Sequence, residues 1–205
     1  MEIDRLELLD WKRRVFALYQ DVRASPDPLA AWQEWRAVRD ELFVAHPQSP
    51  VPQSNRPRFA GLSYYQYDPT ARVLAVVAPL PFEVANLPSS TSSEFSFTRF
   101  ALARFLLFGL ALQLELYWLE GYGGGLLLPF SDATNGEETY AGGRYLLDTV
   151  KGADLGGGAD RLILDFNFAY HPSCVYDPRW SCPLTPPANR LAVPVRAGER
   201  LPAGT

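Results

Sequence analysis

The sequence predicts an α+β fold, mainly β: an N-terminal helical pair, then an antiparallel β-meander forming a barrel or sandwich, then an ordered C-terminal coil rich in proline and aromatic residues. Apolar residues change from helical to alternating spacing near Pro47, and closely spaced turn signals follow without helical crossovers. The chain has 205 residues, 47% of them hydrophobic, which is enough for a sizeable core. We expect a helical appendage at residues 1–45 and a β domain at residues 46–205.

Two amphipathic helices are predicted before this change. Apolar residues recur every three or four positions over residues 3–24, which indicates the first helix. Asp27 can cap free backbone N–H groups and Pro28 suits a first helical position, so a second helix is expected over about 28–45. Its aromatic face carries Trp32 and Trp35. We interpret this face as packing against the β domain rather than stacking on a ligand.

Seven strands are predicted from alternating or apolar runs separated by turn residues. They are residues 61–67, 72–78, 94–108, 110–118, 125–130, 139–147 and 161–168. The alternation over 110–118 is the clearest and predicts one buried face, made of leucines and Trp118. The glycine clusters at 121–125 and 156–158 are interpreted as turns, because neither has the helix and Lys-Ser/Thr pair of a phosphate loop.

The last segment, residues 169–205, differs in composition from the predicted strands before it. It contains seven prolines and several aromatic residues, and no periodic pattern. Proline cannot donate to a sheet ladder, so this segment is not a central strand. It is also too apolar for a free linker, and we expect an ordered coil wrapped on the sheet.

Charge and composition exclude several classes of partner. The net charge is −4 and no basic run appears, so a nucleic-acid or anionic-membrane partner is not expected. The longest strongly apolar stretch, residues 105–114, is half the length of about 20 residues that a membrane helix needs. Acidic residues are spread through the first ten positions where a secretory signal would be basic and then apolar. We expect a soluble, cytoplasmic protein without a cofactor, and the sequence leaves a homodimer open.

The first polar block surrounds an Asn-Gly pair that favours a tight turn. Within 13 residues it contains Asp132, Thr134, Glu137, Tyr140 and Arg144. Carboxylate, phenol and guanidinium groups converging at a sheet end would form a polar pocket, with Arg144 gripping a carboxylate or phosphate at two points. The alternative is structural: Asp132 and Thr134 hydrogen-bond the turn while Arg144 pairs with an acid.

The second polar block follows the last predicted strand. Period-2 spacing predicts that Asp165 and Asn167 share the face opposite the apolar residues, and Tyr170 lies shortly beyond. Polar groups on such a strand need partners or solvent. They are candidate ligand contacts if this face lines the interior, and ordinary surface residues if it faces out.

A metal site is not expected. His171, Cys174 and Cys182 give the spacing H-x2-C-x7-C, which supplies only three ligands and lacks a paired C-x2-C pattern. We interpret the cysteines as two packed thiols, and the spacing leaves a local disulfide open. The second histidine, His46, is expected at the surface.

Several motifs in order resemble the bacterial and archaeal family called domain of unknown function 1684. They are FAGLSYYQYDP at 59–69, FSDATNGEETYAGGRYLLD at 130–148, LDFNFAYHPSC at 164–174, and a last motif from CPLTPPANRL at 182 to AGE at 199. The resemblance covers most of the chain and implies no assigned activity. It implies that these residues are motif positions: Asp132, Thr134, Thr139, Tyr140, Gly143, Arg144, Asp165, Asn167, Tyr170, Cys174, Cys182, Asn189 and Glu199.

Three functions remain open from the sequence. The favoured one is a small-molecule binding module whose polar pocket, at one end of the β-structure, holds a small polar or anionic molecule. The second is an enzyme that uses carboxylate, tyrosine and arginine groups for acid–base chemistry on such a substrate. The third is a structural or interaction protein that docks a partner through its N-terminal helices.

Overall fold

The N-terminal helical pair is present in the computed structural model, which describes residues 4–202. Helix α1 is Arg5–Ala24 and helix α2 is Pro28–Ala45. The side chain of Asp4 accepts from the first amides of α1, and Asp27 does the same for α2. These caps satisfy backbone N–H groups that have no partner within the helix, so each helix begins where its acidic residue stands. Ile3, where the first helix was predicted to begin, lies outside the described residues.

Nine strands follow within residues 4–202, and seven of them form one antiparallel sheet. They are β1 Ser63–Tyr64, β2 Arg72–Ala85, β3 Phe97–Leu107, β4 Leu110–Leu119, β5 Gly125–Phe130, β6 Arg144–Asp148, β7 Gly157–Gly158, β8 Arg161–Asp165 and β9 Glu199–Arg200. The sheet order is β6-β5-β4-β3-β2-β8-β7, and β1 pairs with β9 separately.

The large sheet is curled into a half-barrel, which confirms the α+β, mainly β class. Strands β2 to β6 form the predicted meander. The β7–β8 hairpin then returns to the far side of β2, where Arg72 pairs with Asp165 and Val76 with Arg161. A register shift between Pro79 and Glu83 interrupts the β2–β3 ladder, and such irregularities bend a strand and increase its twist.

Four predicted strands are shorter in the structure. Residues 61–67 contain only the two-residue β1, which pairs with β9 apart from the large sheet, and residues 94–108 are a strand only over Phe97–Leu107. The other two are cut short by turns. Of residues 139–147, only those from Arg144 are in a strand, because a turn with Gly143 at φ +96° precedes it. Residues 161–168 leave the strand after Asp165 and enter a 3-10 turn, Phe166–Phe168. The prediction that Asp165 and Asn167 share a strand face is therefore wrong, since the chain changes conformation between them.

Both helices contribute to the main hydrophobic core. Trp35 is fully buried, and its ring meets those of Tyr64 and Phe168 at 5.6 and 5.2 Å between centroids. Trp32 is also buried and donates from Nε1 to the backbone oxygen of Asn167 at 2.9 Å. The predicted packing of the two tryptophans is confirmed. Burial of two such rings contributes several kcal/mol, which fixes the helices to the sheet.

A second, smaller core lies at one end of the sheet. It consists of Phe97, Tyr117, Leu127 and Tyr145, and residues between β2 and β3, including Leu87 and Phe95, pack against it. Because this segment covers the sheet face on which Tyr117 lies, Tyr117 is buried, whereas Trp118 on the other face is 44% exposed. The predicted alternation over 110–118 therefore fails at its last two positions, and it also fails at Leu110, which is 46% exposed.

The C-terminal coil is ordered and lies against the sheet. Its backbone pairs with the turn after β5, where Leu191 donates to the oxygen of Ser131 at 2.8 Å, and β9 pairs with β1. The surface prediction for His46 is wrong: its ring is buried against Trp11, and its Nε2 lies 3.2 Å from the Asp10 carboxylate. Within residues 4–202, neither helix has the length and apolar character needed to cross a bilayer.

Candidate functional site

Asp132 and Arg144 form a fully buried ion pair with 2.7 Å between Oδ2 and Nη2. The other Arg144 hydrogen bonds go to backbone oxygens of the C-terminal coil, those of Val195, Ala197 and Glu199. The second Asp132 oxygen accepts from the amide of Thr134 at 2.7 Å. These contacts match the structural alternative for this block, because the pair holds the coil against the turn that precedes β6.

Thr134 and Glu137 occupy opposite environments in the same turn. Thr134 is buried, and its hydroxyl lies 2.9 Å from that of Thr139. Glu137 is exposed to solvent. The turn thus directs one predicted site residue inward and the other outward.

Tyr140 lies beside Cys174. Its hydroxyl is 3.9 Å from the Cys174 sulfur, and its amide donates to His171 Nε2 at 3.2 Å. Burial raises the pKa of Tyr140 to about 12, so the phenol is protonated at neutral pH. The structure therefore places Tyr140 against Cys174 and His171, and Asp132 against the buried arginine.

Asn167 joins two distant backbone segments. Its Oδ1 accepts from the amide of Asp68 at 2.9 Å, and its Nδ2 donates to the Asp68 oxygen at 2.7 Å. Nδ2 also donates to Asp165 Oδ1 at 2.8 Å, and that oxygen accepts from the Asn167 amide. All the polar atoms of the asparagine side chain are therefore used within the fold.

Asp165 has one free carboxylate oxygen in a small cavity. Oδ2 has no hydrogen-bond partner among the described residues, and Nε of Arg72 lies 3.7 Å away. The cavity has a volume of about 60 Å³ and is bordered by the turn between α1 and α2. Burial raises the pKa of Asp165 to about 6. The carboxylate is thus kept in an environment that favours its protonated form.

We expect Asp165 to make folding pH-dependent. Between its ordinary pKa of 3.8 and about 6, the folded protein holds a proton that the unfolded chain releases. Stability therefore falls as pH rises through this window, by about 3 kcal/mol for such a difference. Asp165→Asn should remove this fall when urea unfolding is measured from pH 4 to 7.5. The exposed Asp160→Asn variant should keep it, and a wild-type curve parallel to that of Asp165→Asn would contradict the assignment.

A third buried network was missed by sequence reasoning. Glu199 is 1% exposed; its Oε2 lies 2.8 Å from Arg39 Nη2 and accepts from the His171 amide at 3.2 Å. Burial alone would raise the pKa of Glu199, but Arg39 and His171 hold it below its ordinary value. The Arg39 guanidinium lies over Tyr170, 5.0 Å from the ring centroid, which assigns this predicted site residue to the same network. The feature of the sequence that could have indicated this network is Arg39, a cation on the aromatic face of α2.

A partly enclosed cavity of about 140 Å³ opens at the ends of β3 to β6. Its apolar wall includes Phe95, Phe97, Leu119, Leu126 and Leu127. None of the eight predicted site residues borders it directly, although the Tyr170 ring packs edge-on against its Tyr145 wall at 5.8 Å. Sequence reasoning missed this cavity because each wall residue has the pattern of an ordinary core residue.

One end of this cavity is polar and reaches solvent. Nζ of Lys151 lies 3.3 Å from Asp148 Oδ2; the lysine side chain is 56% exposed and the carboxylate nearly buried. The Asp148 carboxylate raises the pKa of Lys151, which keeps the ammonium charged. Ser181 borders the same cavity. An apolar chamber with convergent polar groups at one end is the usual composition of a small-molecule site.

A larger concave surface lies between β2 and the β3–β4 hairpin. This groove measures about 810 Å³, but it is open, and its apolar residues Leu74 and Val76 are each half exposed. It would leave much of a small ligand in water, so the enclosed cavity is the better candidate. Among residues 4–202, no group of three or more His, Cys, Asp or Glu side chains is arranged to hold a metal ion.

Comparison with known proteins identifies a family and a similar solved structure. The sequence profile of a family described as "Protein of unknown function (DUF1684)" matches residues 57–200. A solution NMR structure of the uncharacterized protein from gene locus rrnAC0354 of Haloarcula marismortui is similar, with 37% identity and a TM-score of 0.63. The match covers 86% of this chain and 95% of that one. No curated protein matches the chain.

Proposed function

The chain belongs to the DUF1684 family, and we propose that it is a binding module for small molecules, with the ligand in the cavity at the ends of β3 to β6. The observation that carries this proposal is an apolar cavity of about 140 Å³ with the Lys151–Asp148 pair at its polar end. The expected cytoplasmic location and the absence of nucleic-acid and membrane partners are part of the proposal. Association of two copies is left open.

The cavity volume limits the ligand. An engineered protein cavity of about 150 Å³ takes up benzene, whereas drug-sized ligands need about 300–1,000 Å³. A single ring or a short acyl chain therefore fits, and the base, sugar and phosphates of a nucleotide do not. Ligands with about six to nine non-hydrogen atoms in total are therefore favoured.

The polar end of the cavity selects the head group. Lys151 offers a charged donor, while the Asp148 carboxylate already bonded to it repels a doubly charged anion such as phosphate more than a singly charged one. The apolar wall favours a ligand whose remaining atoms are hydrocarbon. We therefore propose small monocarboxylic acids, with benzoate and hexanoate as the test ligands.

We expect Lys151→Met to weaken benzoate binding about tenfold. A hydrogen bond to a charged group contributes about 1.5–3 kcal/mol, and the solvent exposure of Lys151 places its effect at the low end. The measurement is isothermal titration calorimetry with benzoate, hexanoate and the uncharged hexanol. Hexanol affinity should not change in this variant. Lys12→Met is the matched control, because Lys12 is the other lysine of the chain and is exposed on α1.

A second variant tests the cavity itself. Leu119→Trp should fill it and abolish binding of all three ligands, whereas Leu110→Trp at the exposed other end of β4 should leave binding intact. Circular dichroism should show both variants folded. Wild-type protein that binds none of the carboxylates, or a Leu119→Trp variant that binds them as wild type does, would contradict the proposed function.

A further inference from the structure

The open groove between β2 and the β3–β4 hairpin is an apolar surface that the proposed ligand does not use. Leu74 and Val76 on β2 are each half exposed, and Leu106 on β3 is 67% exposed. At the tip of the hairpin, Phe108 and Leu110 are 42% and 46% exposed. The solvated face of an antiparallel sheet usually carries polar residues. A concentration of exposed apolar side chains on such a face marks an interaction site.

The backbone at the hairpin tip is strained where it presents an aromatic side chain. Phe108 has φ +52°, and it is the one residue other than glycine with a positive φ within residues 4–202. Such turn positions are usually occupied by Asn, Asp or Gly, because a larger side chain there costs about 1–2 kcal/mol. Strain of this kind is concentrated at functional sites. Here it keeps an exposed phenyl ring two residues from Leu106, which lines the groove.

Two arginines accompany the apolar side chains. Arg104 on β3 and Arg161 on β8 both pair in register with Val76, one on each side of β2. Directly paired residues share a face of the sheet, so both side chains lie on the face that carries Val76. Neither arginine side chain makes an ion pair or a hydrogen bond within residues 4–202, whereas Arg99 on β3 pairs with two glutamates. The groove and its border therefore carry two uncompensated positive charges.

Area and charge decide which partner fits this surface. Five apolar side chains with about 100 Å² exposed on each give on the order of 500 Å², whereas a standard interface buries about 800 Å² on each partner. A symmetric contact between two copies would also place the same positive patch against itself, which is repulsive. A bilayer surface is broad and does not enter a concave groove. The partner that remains is a short segment with both apolar and acidic side chains.

The spacing of the arginines indicates the conformation of this segment. Neighbouring strands lie about 4.8 Å apart, so the backbones of Arg104 and Arg161, two strands apart, are separated by about 10 Å. Residues i and i+7 of an α-helix lie on nearly the same face, about 10.5 Å apart along the axis. Residues on one face of an extended strand are about 6.8 or 13.6 Å apart, and neither distance matches. A helix that lies across the strands therefore places two carboxylates over the two arginines.

We propose that the open groove docks an acidic amphipathic helix of another protein. Carboxylates seven residues apart contact Arg104 and Arg161, and the apolar side chains between them pack on Leu74 and Leu106. This is the helix-in-groove mode of recognition, in which apolar residues at helical spacing provide the anchors. The groove and the proposed ligand cavity share no lining residue, so the two sites are tested separately.

The test is a selection of phage-displayed random peptides about 16 residues long, which is about four helical turns. Peptides enriched on wild-type protein should carry Asp or Glu seven positions apart with Leu, Ile or Phe between them. In fluorescence anisotropy, Arg104→Glu and Leu106→Ser should each weaken binding of a selected peptide at least about tenfold. The matched controls Arg13→Glu and Leu6→Ser, at exposed positions on α1, should bind it as wild type does. Circular dichroism should show all four variants folded.

A charge exchange identifies the contact directly. Lysine in place of the two peptide acids should abolish binding to wild-type protein and restore it to the double variant Arg104→Glu, Arg161→Glu. No enrichment, enriched peptides without acidic pairs, or binding that survives Arg104→Glu would overturn the proposal. A wild-type dimer that Leu106→Ser dissociates, or Arg104-dependent binding to phosphatidylglycerol vesicles, would also overturn it, because each assigns the groove to a different occupant.

Discussion

Arg144→Met is expected to lower the free energy of unfolding by at least about 3–5 kcal/mol, or to prevent folding. Removing one partner of a buried ion pair leaves the other charge without compensation, which has this effect in other proteins. Here the loss also frees three buried backbone oxygens, those of Val195, Ala197 and Glu199. Because a domain has only about 5–15 kcal/mol of stability, the C-terminal coil should detach or the whole chain unfold.

Urea unfolding followed by circular dichroism measures this effect. Arg161→Met is the matched control, since Arg161 is exposed on β8, and it should change stability by less than about 0.5 kcal/mol. In the double variant Arg144→Met, Asp132→Asn, part of the loss should return, because the unpaired carboxylate is gone. An Arg144→Met variant as stable as the control would show that the pair does not hold the coil.

Arg39→Met should destabilise the protein by a similar amount, about 3–5 kcal/mol. The guanidinium neutralises Glu199, which is 1% exposed, and it lies over the rings of Trp35 and Phe43 at 4.7 and 5.1 Å from their centroids. Its removal leaves the buried Glu199 carboxylate with His171, 3.4 Å away, as its remaining charged partner. It also removes the cation from the faces of these aromatic rings.

Two companion variants separate charge from shape in this network. Arg39→Lys retains the charge but not the planar group, and should recover only part of the stability. Combining Arg39→Met with Glu199→Gln should recover part of it by removing the unpaired charge. If Arg39→Met lowers the free energy of unfolding in urea by less than about 1 kcal/mol, the buried Glu199 carboxylate is not stabilised by Arg39.

The elements that the sequence predicts well are those with local causes. Helix α2 begins at Pro28 behind the Asp27 cap, and β5 covers Gly125–Phe130 as predicted, because the cap and the apolar run act within a few residues. The errors have distant causes. Tyr117 is buried and Trp118 exposed because a segment about 20 to 30 residues earlier in the chain covers that face.

The candidate site likewise combines features with local causes and features with distant causes. The polar block around Arg144 was recognisable from composition, yet its partners lie some 50 residues away in a coil without periodicity. The Asp165 carboxylate accepts a hydrogen bond from the Asn167 amide and so caps the turn that contains Asn167. A strand prediction based on two-residue alternation does not anticipate this hydrogen bond. The cavity is bordered by Phe95, Leu119, Leu127 and Ser181, which come from separate segments and meet only in the folded chain.

The most direct test of the proposed function is a titration of ¹⁵N-labelled protein with benzoate, followed by two-dimensional NMR. We expect saturable shifts of amides around the cavity, such as those of Leu119, Leu127, Lys151 and Ser181, and unchanged signals for Arg144 and Asn167. In Leu119→Trp we expect these shifts to be absent. No saturable shifts, or shifts centred on the small cavity beside Asp165, would contradict the claim that this cavity is the ligand site.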